Sequence, residues 1–593
     1  MAWYDEAVFY HIYPLGLTGA PKENSYSKPE HRLNTLIPWI DHIKNIGCNA
    51  LYIGPLFESV GHGYETTDYK KLDSRLGDNK DLTDFVAKCH EKGVKVIFDG
   101  VFNHTGRDFF AFQDIKEKRE SSQYRDWYCN VNFGGNNEYN DGFCYDNWGG
   151  YNLLVKLNQR NPAVRDYICD VIRFWVSEFD IDGIRLDAAD VLDFDFMKAL
   201  RGTANEVKPD FWLMGEVIHG DYTRWVNEGT LHSVTNYQLH KALYSGHNDH
   251  NYFEIAHTVK RLYEMGGNRP DGLKLYNFVD NHDVERIYTK LNNKAHFIPV
   301  HILMYTLPGV PSIYYGSEFG IEGKKEKFSD ASLRPALNLD DYKNAVNNNV
   351  YTKLIAALGR TRQQSKALSY GDYKELKLMN RQYAFSRNYN GESVVVTVNN
   401  DDSDYVFTVP AGNVSTYIGA LTGEKVSVSN GTICVNIKAN SGEIWVPLTD
   451  AFTGSITVDN STAKTVETAN KATAAPKPPV ETEPATHSAA EAPKPSAPEK
   501  TLEAAASNTT NNTSKTTNAD KAPSAKEVTP IDPAKELAAK ACDEAFEKGK
   551  IAGLQEAILA IMEKNGPVTD QMKRDVYNNE HHDSLINWVK SFR

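Results

Sequence analysis

The segment "DIDGIRLDAAD" (180–190) places an arginine two residues before an aspartate at the end of an apolar run. Residues two apart in a strand point to the same side, so Arg185 and Asp187 form a charged pair on an otherwise apolar strand. Arg185 is expected to keep the pKa of Asp187 low, which leaves a carboxylate that can act as a nucleophile. Glu216 follows the apolar run "FWLM" and is expected to stay protonated as a general acid.

A third acidic residue, Asp283, follows His282 at the end of another apolar run, "KLYNFVDNHD" (274–283). A carboxylate nucleophile beside a carboxylic acid is the equipment for retaining glycoside hydrolysis, which proceeds through a covalent sugar ester. Each residue alone also has a structural interpretation, because Arg-x-Asp is often an ion pair and "NHD" can cap a helix. The chemical interpretation therefore requires a fold that brings the three acids together.

Short apolar segments alternate with amphipathic helical patterns through the first part of the chain. The eight candidate strands are residues 7–17, 50–57, 94–104, 182–190, 211–217, 233–238, 274–283 and 309–316. Such alternation predicts a parallel sheet, and eight units over roughly 350 residues fit a (β/α)8 TIM barrel with an insertion after strand three. An open doubly wound sheet would normally carry a glycine-rich phosphate turn after its first strand, and "YPLGLTGAPKEN" is not one.

Chemistry in such a barrel is found at the carboxyl ends of the strands. The polar residues predicted there are Asp99, Asn103 and His104 after strand three, Arg185 and Asp187 after strand four, Glu216 after strand five, and Asn281, His282 and Asp283 after strand seven. Three carboxylates from three strands would thus meet in one pocket, where like charges raise the pKa of at least one of them.

The composition changes along the rest of the chain. We expect barrel segments at 1–103 and 159–368, an insertion domain at 104–158 and a β-sandwich of short alternating strands at 369–449. Residues 450–531 are rich in Ala, Thr and Pro and are predicted to be a disordered linker, whereas 532–593 resume helical patterning as a small module. The motif "NEHHD" (579–583) suggests a solvated turn more than a metal site, because adjacent histidines diverge on a helix.

The charge balance and the termini limit the partners. The 65 basic and 78 acidic residues give a net charge of -13 without a basic cluster, which argues against nucleic acid and anionic membranes and suits a neutral substrate. No apolar run is long enough to span a bilayer, and the N-terminus lacks the pattern of a signal peptide, so a cytoplasmic location is predicted. The seven cysteines are scattered and are expected to be reduced, with a single Cys129–Cys144 disulfide as the alternative.

Several motifs now carry a resemblance to a known family. "DGVFNH" (99–104), "GIRLDAAD" (183–190), "GEVIHGD" (215–221) and "FVDNHD" (278–283) resemble the four signature regions of the α-amylase superfamily, glycoside hydrolase family 13. "HGYETTDY" (62–69) and "VPSIYYGSEFG" (310–320) resemble two further motifs of that family, and the resemblance covers about residues 5 to 449. "LVKLN" (154–158) and "GEVIH" (215–219) are similar to the neopullulanase and cyclomaltodextrinase branch, which degrades maltodextrins.

The resemblance implies a role for each site residue. Asp187 would be the nucleophile, Glu216 the general acid/base and Asp283 the stabiliser of the transition state. The substrate-binding residues that it implies are Tyr64, His62, Asp99, His104, Arg185, His282 and Arg334. Among these, Tyr64 would stack under the reacting sugar and Arg185 would position the nucleophile.

Two positions depart from the family pattern. Where typical members have a Lys-His pair after the nucleophile, this chain has Asp190 and Val191. Since that histidine is associated with a calcium site that also uses the asparagine matched by Asn103, no metal and no cofactor is expected to be required here. Trp148 and Tyr151 in the insertion could stack on further glucose units or pack the insertion itself.

The expected function is a retaining α-glucoside hydrolase that cleaves α-1,4-glucosidic bonds of maltodextrins, cyclodextrins or starch-derived glucans. A transglycosylase or an α-glucosidase on the same scaffold is the alternative within the family. An alternative of another class is a non-catalytic α-glucan-binding scaffold protein. The C-terminal helical module would bind an unknown protein partner or mediate oligomerisation.

Overall fold

A computed structural model describes residues 2–266, 272–327 and 329–449 of the chain. The predicted linker (450–531), the predicted helical module (532–593) and the "NEHHD" motif lie outside the described residues. No helix in the described part of the chain combines the length and the apolar character that a membrane span needs.

Eight parallel strands form one sheet at the centre of the molecule. They are β1 (Phe9–Ile12), β2 (Ala50–Ile53), β3 (Lys95–Gly100), β4 (Gly183–Leu186), β5 (Trp212–Gly215), β6 (Ser233–Val234), β7 (Tyr276–Asn277) and β8 (Val310–Tyr314). Their order is β6-β5-β4-β3-β2-β1-β8-β7. A parallel bridge between Thr235 and Tyr276 joins the two edge strands, as barrel closure requires. The predicted eight-stranded parallel sheet of a (β/α)8 barrel is therefore confirmed.

The strands are shorter than the apolar runs that predicted them. The run at 274–283, for example, contributes only Tyr276–Asn277 to the sheet. Residues 278–283 form the loop that carries His282 and Asp283 at the carboxyl end of β7. Apolar periodicity cannot separate the strand from this buried loop, because both are covered by the barrel interior and the surrounding helices.

Helices connect the strands on the outside of the sheet. Their bounds are Pro14–Leu17, Ile37–Asn45, Asn79–Glu91, Phe110–Lys118, Pro162–Phe179, Phe194–Val207, Tyr237–Asn248, Tyr252–Met265, Ile287–Lys290, Phe297–Thr306, Ala345–Asn348, Val350–Gln364 and Lys366–Tyr370. The helix Pro162–Phe179 begins as its sequence predicts, with the Asn161 side chain accepting from the Ala163 N–H and proline at the first helical position. It ends at Asp180, which adopts a left-handed conformation with φ 55°.

A buried apolar cluster draws its residues from several strands of the sheet. Its members are Ala7, Phe9, Ala50, Tyr52, Ile97, Trp212, Met214, Tyr276, Phe278 and Val310. The rings of Phe9 and Trp212 stack with centroids 5.1 Å apart, from strands that are not neighbours in the sheet. This packing joins strands across the barrel and fixes the positions from which the polar side chains leave.

Two smaller sheets follow β2 and β3. The strands Phe57–Ser59 and Thr66–Leu72 form a hairpin after β2. After β3, His104–Thr105, Tyr151–Lys156 and Asn147–Trp148 form a three-stranded sheet within the predicted insertion, whose boundaries remain sequence predictions. The six cysteines among the described residues are free thiols, so Cys129 and Cys144 do not form the alternative disulfide.

The last described region is a β-sandwich. One sheet contains Lys374–Leu378, Gln382–Tyr389, Glu392–Asn399, Ser441–Pro447, Thr416–Gly419 and Lys425–Ser427, and the other pairs Tyr405–Pro410 with Thr432–Ile437. Residues from both sheets, among them Val395, Phe407, Ile433 and Trp445, form one buried apolar cluster. The predicted sandwich is therefore confirmed. Burial alternates along Tyr405–Pro410 and Thr432–Ile437, whereas Gln382–Tyr389 and Glu392–Asn399 of the other sheet are buried almost continuously.

Candidate active site

Arg185 is the centre of the polar cluster at the carboxyl ends of β3 to β5. Its Cα is in register with Asp99 on β3, so both side chains leave neighbouring strands on the same side. The guanidinium is only 3% exposed and contacts three carboxylates: Asp99 Oδ1 at 2.8 Å, Asp187 Oδ1 at 2.9 Å and Glu216 Oε2 at 2.9 Å. One buried cation is thus shared by three acidic side chains.

Asp187 and Glu216 are held by a continuation of the barrel hydrogen bonds. The Asp187 N–H donates to the carbonyl of Gly100 at 3.0 Å, and the Glu216 N–H donates to that of Leu186 at 2.9 Å. The Ala188 N–H donates to Glu216 Oε2 at 3.2 Å. Both acids therefore stand one residue beyond the end of their strand, on rigid backbone, as a catalytic pair requires.

The sequence predicts that Arg185 keeps the pKa of Asp187 low, and this prediction is wrong in direction. Burial raises the pKa of the Asp187 carboxyl well above its usual value. Arg185 opposes the rise, but the neighbouring carboxyls of Glu216 and Asp99 reinforce it. Burial is the largest cause, and one cation that is divided among three carboxylates does not offset it.

Asp283 has a different environment on the far side of the site. Its Oδ2 lies 3.0 Å from His282 Nε2, and its Oδ1 accepts from the Arg334 guanidinium at 2.9 Å. Burial alone would raise the pKa of Asp283, yet His282 and Arg334 outweigh burial and hold that pKa well below its usual range. Asp283 is therefore held in its ionised form.

Tyr64 connects the two acidic groups. Its hydroxyl donates to Asp99 Oδ2 at 3.0 Å and lies 2.5 Å from His282 Nε2. The Tyr64 and His282 rings are nearly parallel, with an angle of 11° between their planes. Because the hydroxyl proton is directed at Asp99, the phenol oxygen can accept from a His282 Nε2–H. This geometry fixes the orientation of both rings at the floor of the site.

The two remaining predicted histidines lie at the edge of this network. His104 is buried, and its Nε2 donates to the Tyr64 carbonyl at 3.1 Å. Burial lowers the pKa of His104 to about 4, so the ring is neutral at ordinary pH. His62 is half exposed and pairs with Glu65 at 3.1 Å. Its carbonyl accepts from the hydroxyl of Tyr13 at 2.5 Å.

All ten predicted site residues are thus linked to one network, which also contains residues that the sequence reasoning missed. Tyr13 packs under the Arg334 guanidinium at 4.6 Å, Tyr52 donates to Asp99 at 2.9 Å, and Tyr237 donates to Glu216 Oε1 at 3.3 Å. Each of the three lies on a strand or loop of the same barrel end. The signal that could have found them is their position in or just after strands one, two and six, where the sequence offers a tyrosine in place of an acid, amide or histidine.

The positions associated with calcium in the family do not fit a metal site in this chain. Asn103 Oδ1 already accepts a hydrogen bond from Gln159 Nε2 at 3.2 Å, and its Nδ2 is directed at His104 Nδ1. Val191 offers no side-chain donor atom. The residues present therefore satisfy one another by hydrogen bonds, and no step of the chemistry is assigned to a metal.

A second place could in principle collect a cation among the described residues. His31, Asp78 and Asp81 lie close together on the surface. Their polar atoms already have partners, because Asp78 and Asp81 cap the helix Asn79–Glu91 reciprocally and His31 Nδ1 lies 2.5 Å from Asp81. The cluster is explained as a helix cap.

Comparison with known proteins agrees with the geometry. The sequence profile described as "Alpha amylase, catalytic domain" matches residues 24–353. The cyclomaltodextrinase of Thermoanaerobacter pseudethanolicus is 32% identical over 428 residues, which is 68% of this chain and 72% of that protein. Neopullulanase 2 of Thermoactinomyces vulgaris is 30% identical over 467 residues, 74% of this chain and 78% of that protein. A solved cyclomaltodextrinase structure superposes with a TM-score of 0.65 at 26% identity and covers 75% of this chain and 78% of its own.

A parallel barrel that gathers three acids from three strand ends has the arrangement of a glycoside hydrolase. The profile match over more than half of the chain and the relatives above identify the family: the chain belongs to the α-amylase family, glycoside hydrolase family 13. The resemblance inferred from the motifs is thereby confirmed, including the similarity to cyclomaltodextrinases and neopullulanases.

Proposed function

We propose that the protein hydrolyses α-1,4-glucosidic bonds of maltodextrins and cyclodextrins with retention of the anomeric configuration. The observation that carries this proposal is the pairing of Asp187 and Glu216 on one buried arginine, opposite an ionised Asp283. Two carboxyl groups held this close support a nucleophile and an acid that share a proton.

The first step is attack by the Asp187 carboxylate on the anomeric carbon. Glu216 gives its proton to the glycosidic oxygen as the bond to the leaving sugar breaks, and a β-glucosyl ester of Asp187 remains. Turnover therefore needs the shared proton on Glu216 and an ionised Asp187. Arg185 contacts both groups and stabilises the carboxylate that has lost its proton.

In the second step Glu216 removes a proton from water, which attacks the ester and releases an α-anomeric sugar. Asp283 stays ionised through both steps and stabilises the positive charge that develops on the sugar ring. Tyr64 supports the ring from below with its aromatic face. His104 and His282, whose Nε2 atoms already have partners in the protein, hold Tyr64 and Asp283 in position.

The substrate class follows from the relatives and from the charge. The relatives named above are cyclomaltodextrinase and neopullulanase, and we propose the same class of short or cyclic α-glucan for this chain. Such substrates are neutral, in agreement with a protein of net charge -13 that has no basic cluster. The cytoplasmic location is part of this proposal.

A product analysis tests the proposal. The purified protein is incubated with maltoheptaose, β-cyclodextrin, pullulan or soluble starch, and new reducing ends are followed by proton NMR before mutarotation. Opening of cyclodextrin with release of α-anomeric maltose or glucose is expected. A β-anomeric first product would contradict the double displacement, and products longer than the substrate would identify a transglycosylase. Binding of all four glucans without turnover would identify the scaffold protein.

A further inference from the structure

Gln159 contacts two loops that leave the barrel on either side of the nucleophile. It lies in the turn before the helix Pro162–Phe179, and the residue is only 7% exposed. Its Nε2 donates to Asn103 Oδ1 at 3.2 Å, and its Oε1 accepts from the Asp193 N–H at 2.6 Å. Asn103 follows β3 and Asp193 follows β4, so one carboxamide joins both strand-end loops.

On the Asn103 side the hydrogen bonds continue to the proposed sugar-binding residues. With its oxygen directed at Gln159, the Asn103 amide presents its Nδ2 to His104 Nδ1 at 3.2 Å. That nitrogen must then accept, so the proton of the neutral ring lies on Nε2, which donates to the Tyr64 carbonyl at 3.1 Å. Gln159 thus sets the tautomer of His104 through Asn103.

On the other side, the bond to Asp193 anchors the segment that follows the nucleophile. The Asp193 side chain caps the helix Phe194–Val207 and accepts from Arg160 Nε at 2.9 Å. Between this anchor and Asp187, Ala188 adopts a left-handed conformation with φ 47° and gives its N–H to Glu216. A strained residue of this kind persists only where both ends of its segment are fixed.

We infer that Gln159 is a positioning residue that joins the loops after β3 and β4 by hydrogen bonds, where the resemblance to the family would place a calcium ion. This role explains why Asn103 and Val191 do not fit a metal site and why Gln159 bridges the two loops. The oxygen of Asn103 is directed at a donor instead of a cation.

The same position is open to ions from solution. Gln159, Val191 and Asp193 line an open cleft of about 560 Å³, which Asn130 and Asp146 also border. A cation added to the solvent can therefore reach residue 159, directly behind which the Asn103 side chain is fully buried. Because residue 159 is accessible to ions, changing its carboxamide to a carboxylate tests the inference.

The decisive variant is Gln159→Glu. It keeps an acceptor for the Asp193 N–H but places a carboxylate oxygen against Asn103 Oδ1, and two acceptors at that distance repel each other unless a cation lies between them. In EDTA we expect kcat/KM for maltoheptaose to fall by about 10- to 100-fold, the range for residues that orient functional groups from behind. Millimolar calcium should restore most of the activity and raise the melting temperature of this variant.

Three controls accompany it. The unaltered protein should be indifferent to EDTA and to calcium. Gln123→Glu changes an exposed glutamine of the insertion and should remain indifferent as well. Gln159→Met has a similar length without polar atoms and should lose activity in both media, because calcium finds no new ligand.

The outcomes separate this inference from the proposed function, on which its activity assay rests. Wild-type activity of Gln159→Glu and Gln159→Met in EDTA would overturn the inference. A Gln159→Glu variant that is inactive or unfolded in both EDTA and calcium would overturn it too, because no cation could then replace the bridge. If the unaltered protein has no turnover, the proposed function fails, and calcium-dependent melting of Gln159→Glu still decides the inference.

Discussion

The site contains two groups of acidic residues, each centred on an arginine. The pKa of the functional aspartate is shifted in opposite directions in the two groups. Arg185 is shared by Asp99, Asp187 and Glu216, all within 2.9 Å. Arg334 contacts Asp283 at 2.9 Å and makes a longer contact to Asp330 at 3.3 Å. His282 adds a further partner on the Asp283 side only.

The direction of each pKa follows from burial together with the ratio of cations to carboxylates. The pKa of Asp187 is raised and that of Asp283 is lowered, although both carboxyls touch an arginine. The Asp187 side chain is 11% exposed and shares its arginine with two other acids, whereas the Asp283 side chain is 35% exposed and has His282 as a second partner. The Arg185 group therefore retains a proton that can be transferred, whereas the Arg334 group holds a permanent charge. In the proposed mechanism these are the two properties that proton transfer and charge stabilisation require.

The largest effect is expected for Glu216→Gln, which removes the transferable proton. The amide keeps the size of the side chain, so binding of maltoheptaose should persist while kcat falls by about 10²- to 10⁴-fold, the range for general acid–base catalysis. Calorimetry and reducing-sugar assays measure the two quantities. Glu228→Gln, at an exposed position 12 residues further along, is the matched control. Unchanged turnover of the Glu216 variant would remove this residue from the mechanism.

Arg334→Met should act on the opposite group. Asp283 functions as the ionised form, and without Arg334 its pKa rises by about 1–3 units, the usual effect of an adjacent opposite charge. Because that pKa starts well below its usual range whereas the pKa of Asp187 is raised, Asp187 should still set the acid limb of kcat/KM, and the limb should stay in place. The lost contact should instead lower kcat for maltoheptaose by about 100-fold across the profile, because Asp283 is no longer held in position. Arg165→Met, which removes a partly exposed arginine of the helix Pro162–Phe179, should leave kcat unchanged. An acid limb that moves to higher pH would show that Asp283, and not Asp187, limits activity at low pH.

Asp99→Asn should move the acid limb to lower pH. The substitution removes one of the three negative charges around Arg185, so ionisation of Asp187 becomes easier and its pKa falls. The protein should then stay active at lower pH, by about 1 unit for one screened charge. The control is Asp182→Asn, which removes a buried aspartate just before β4, at its amino end. A shift to higher pH would contradict the assignment of the acid limb to Asp187.

The sequence predicts which residues form the site better than it predicts the direction of their pKa shifts. The order of strands and the rule that the carboxyl ends of barrel strands meet are enough to predict that Asp99, Arg185, Glu216 and Asp283 lie in one site. Register explains the success, because Asp99 and Arg185 are direct partners on neighbouring strands. Because side chains alternate along a strand, the sequence pattern already indicates which residues point to the same side.

The pKa of Asp187 could not be predicted in the same way. The motif "GIRLDAAD" contains one arginine and suggests one partner, whereas the number of carboxylates around Arg185 depends on residues 86 and 31 positions away in the chain. The contributions of Tyr13, Tyr52 and Tyr237 were missed for the same reason. Their hydroxyls matter only through contacts that the folded barrel creates.

The smallest effect is expected for Tyr151→Ala in the insertion, which lies outside both arginine groups. Tyr151 is 67% exposed at the turn of the strand pair that it forms with Trp148, so its ring is free to contact a distant glucose unit. KM for maltoheptaose should rise by about 2- to 10-fold, as the loss of one aromatic contact implies, while KM for maltotriose stays the same. Tyr139→Ala is the control, because that ring packs over Arg107 at 3.8 Å within the insertion and its loss should lower the melting temperature instead. Equal changes in KM for maltoheptaose and maltotriose would show that Tyr151 packs the insertion and does not contact a distant glucose unit. Sugar recognition would then rest on the two arginine groups.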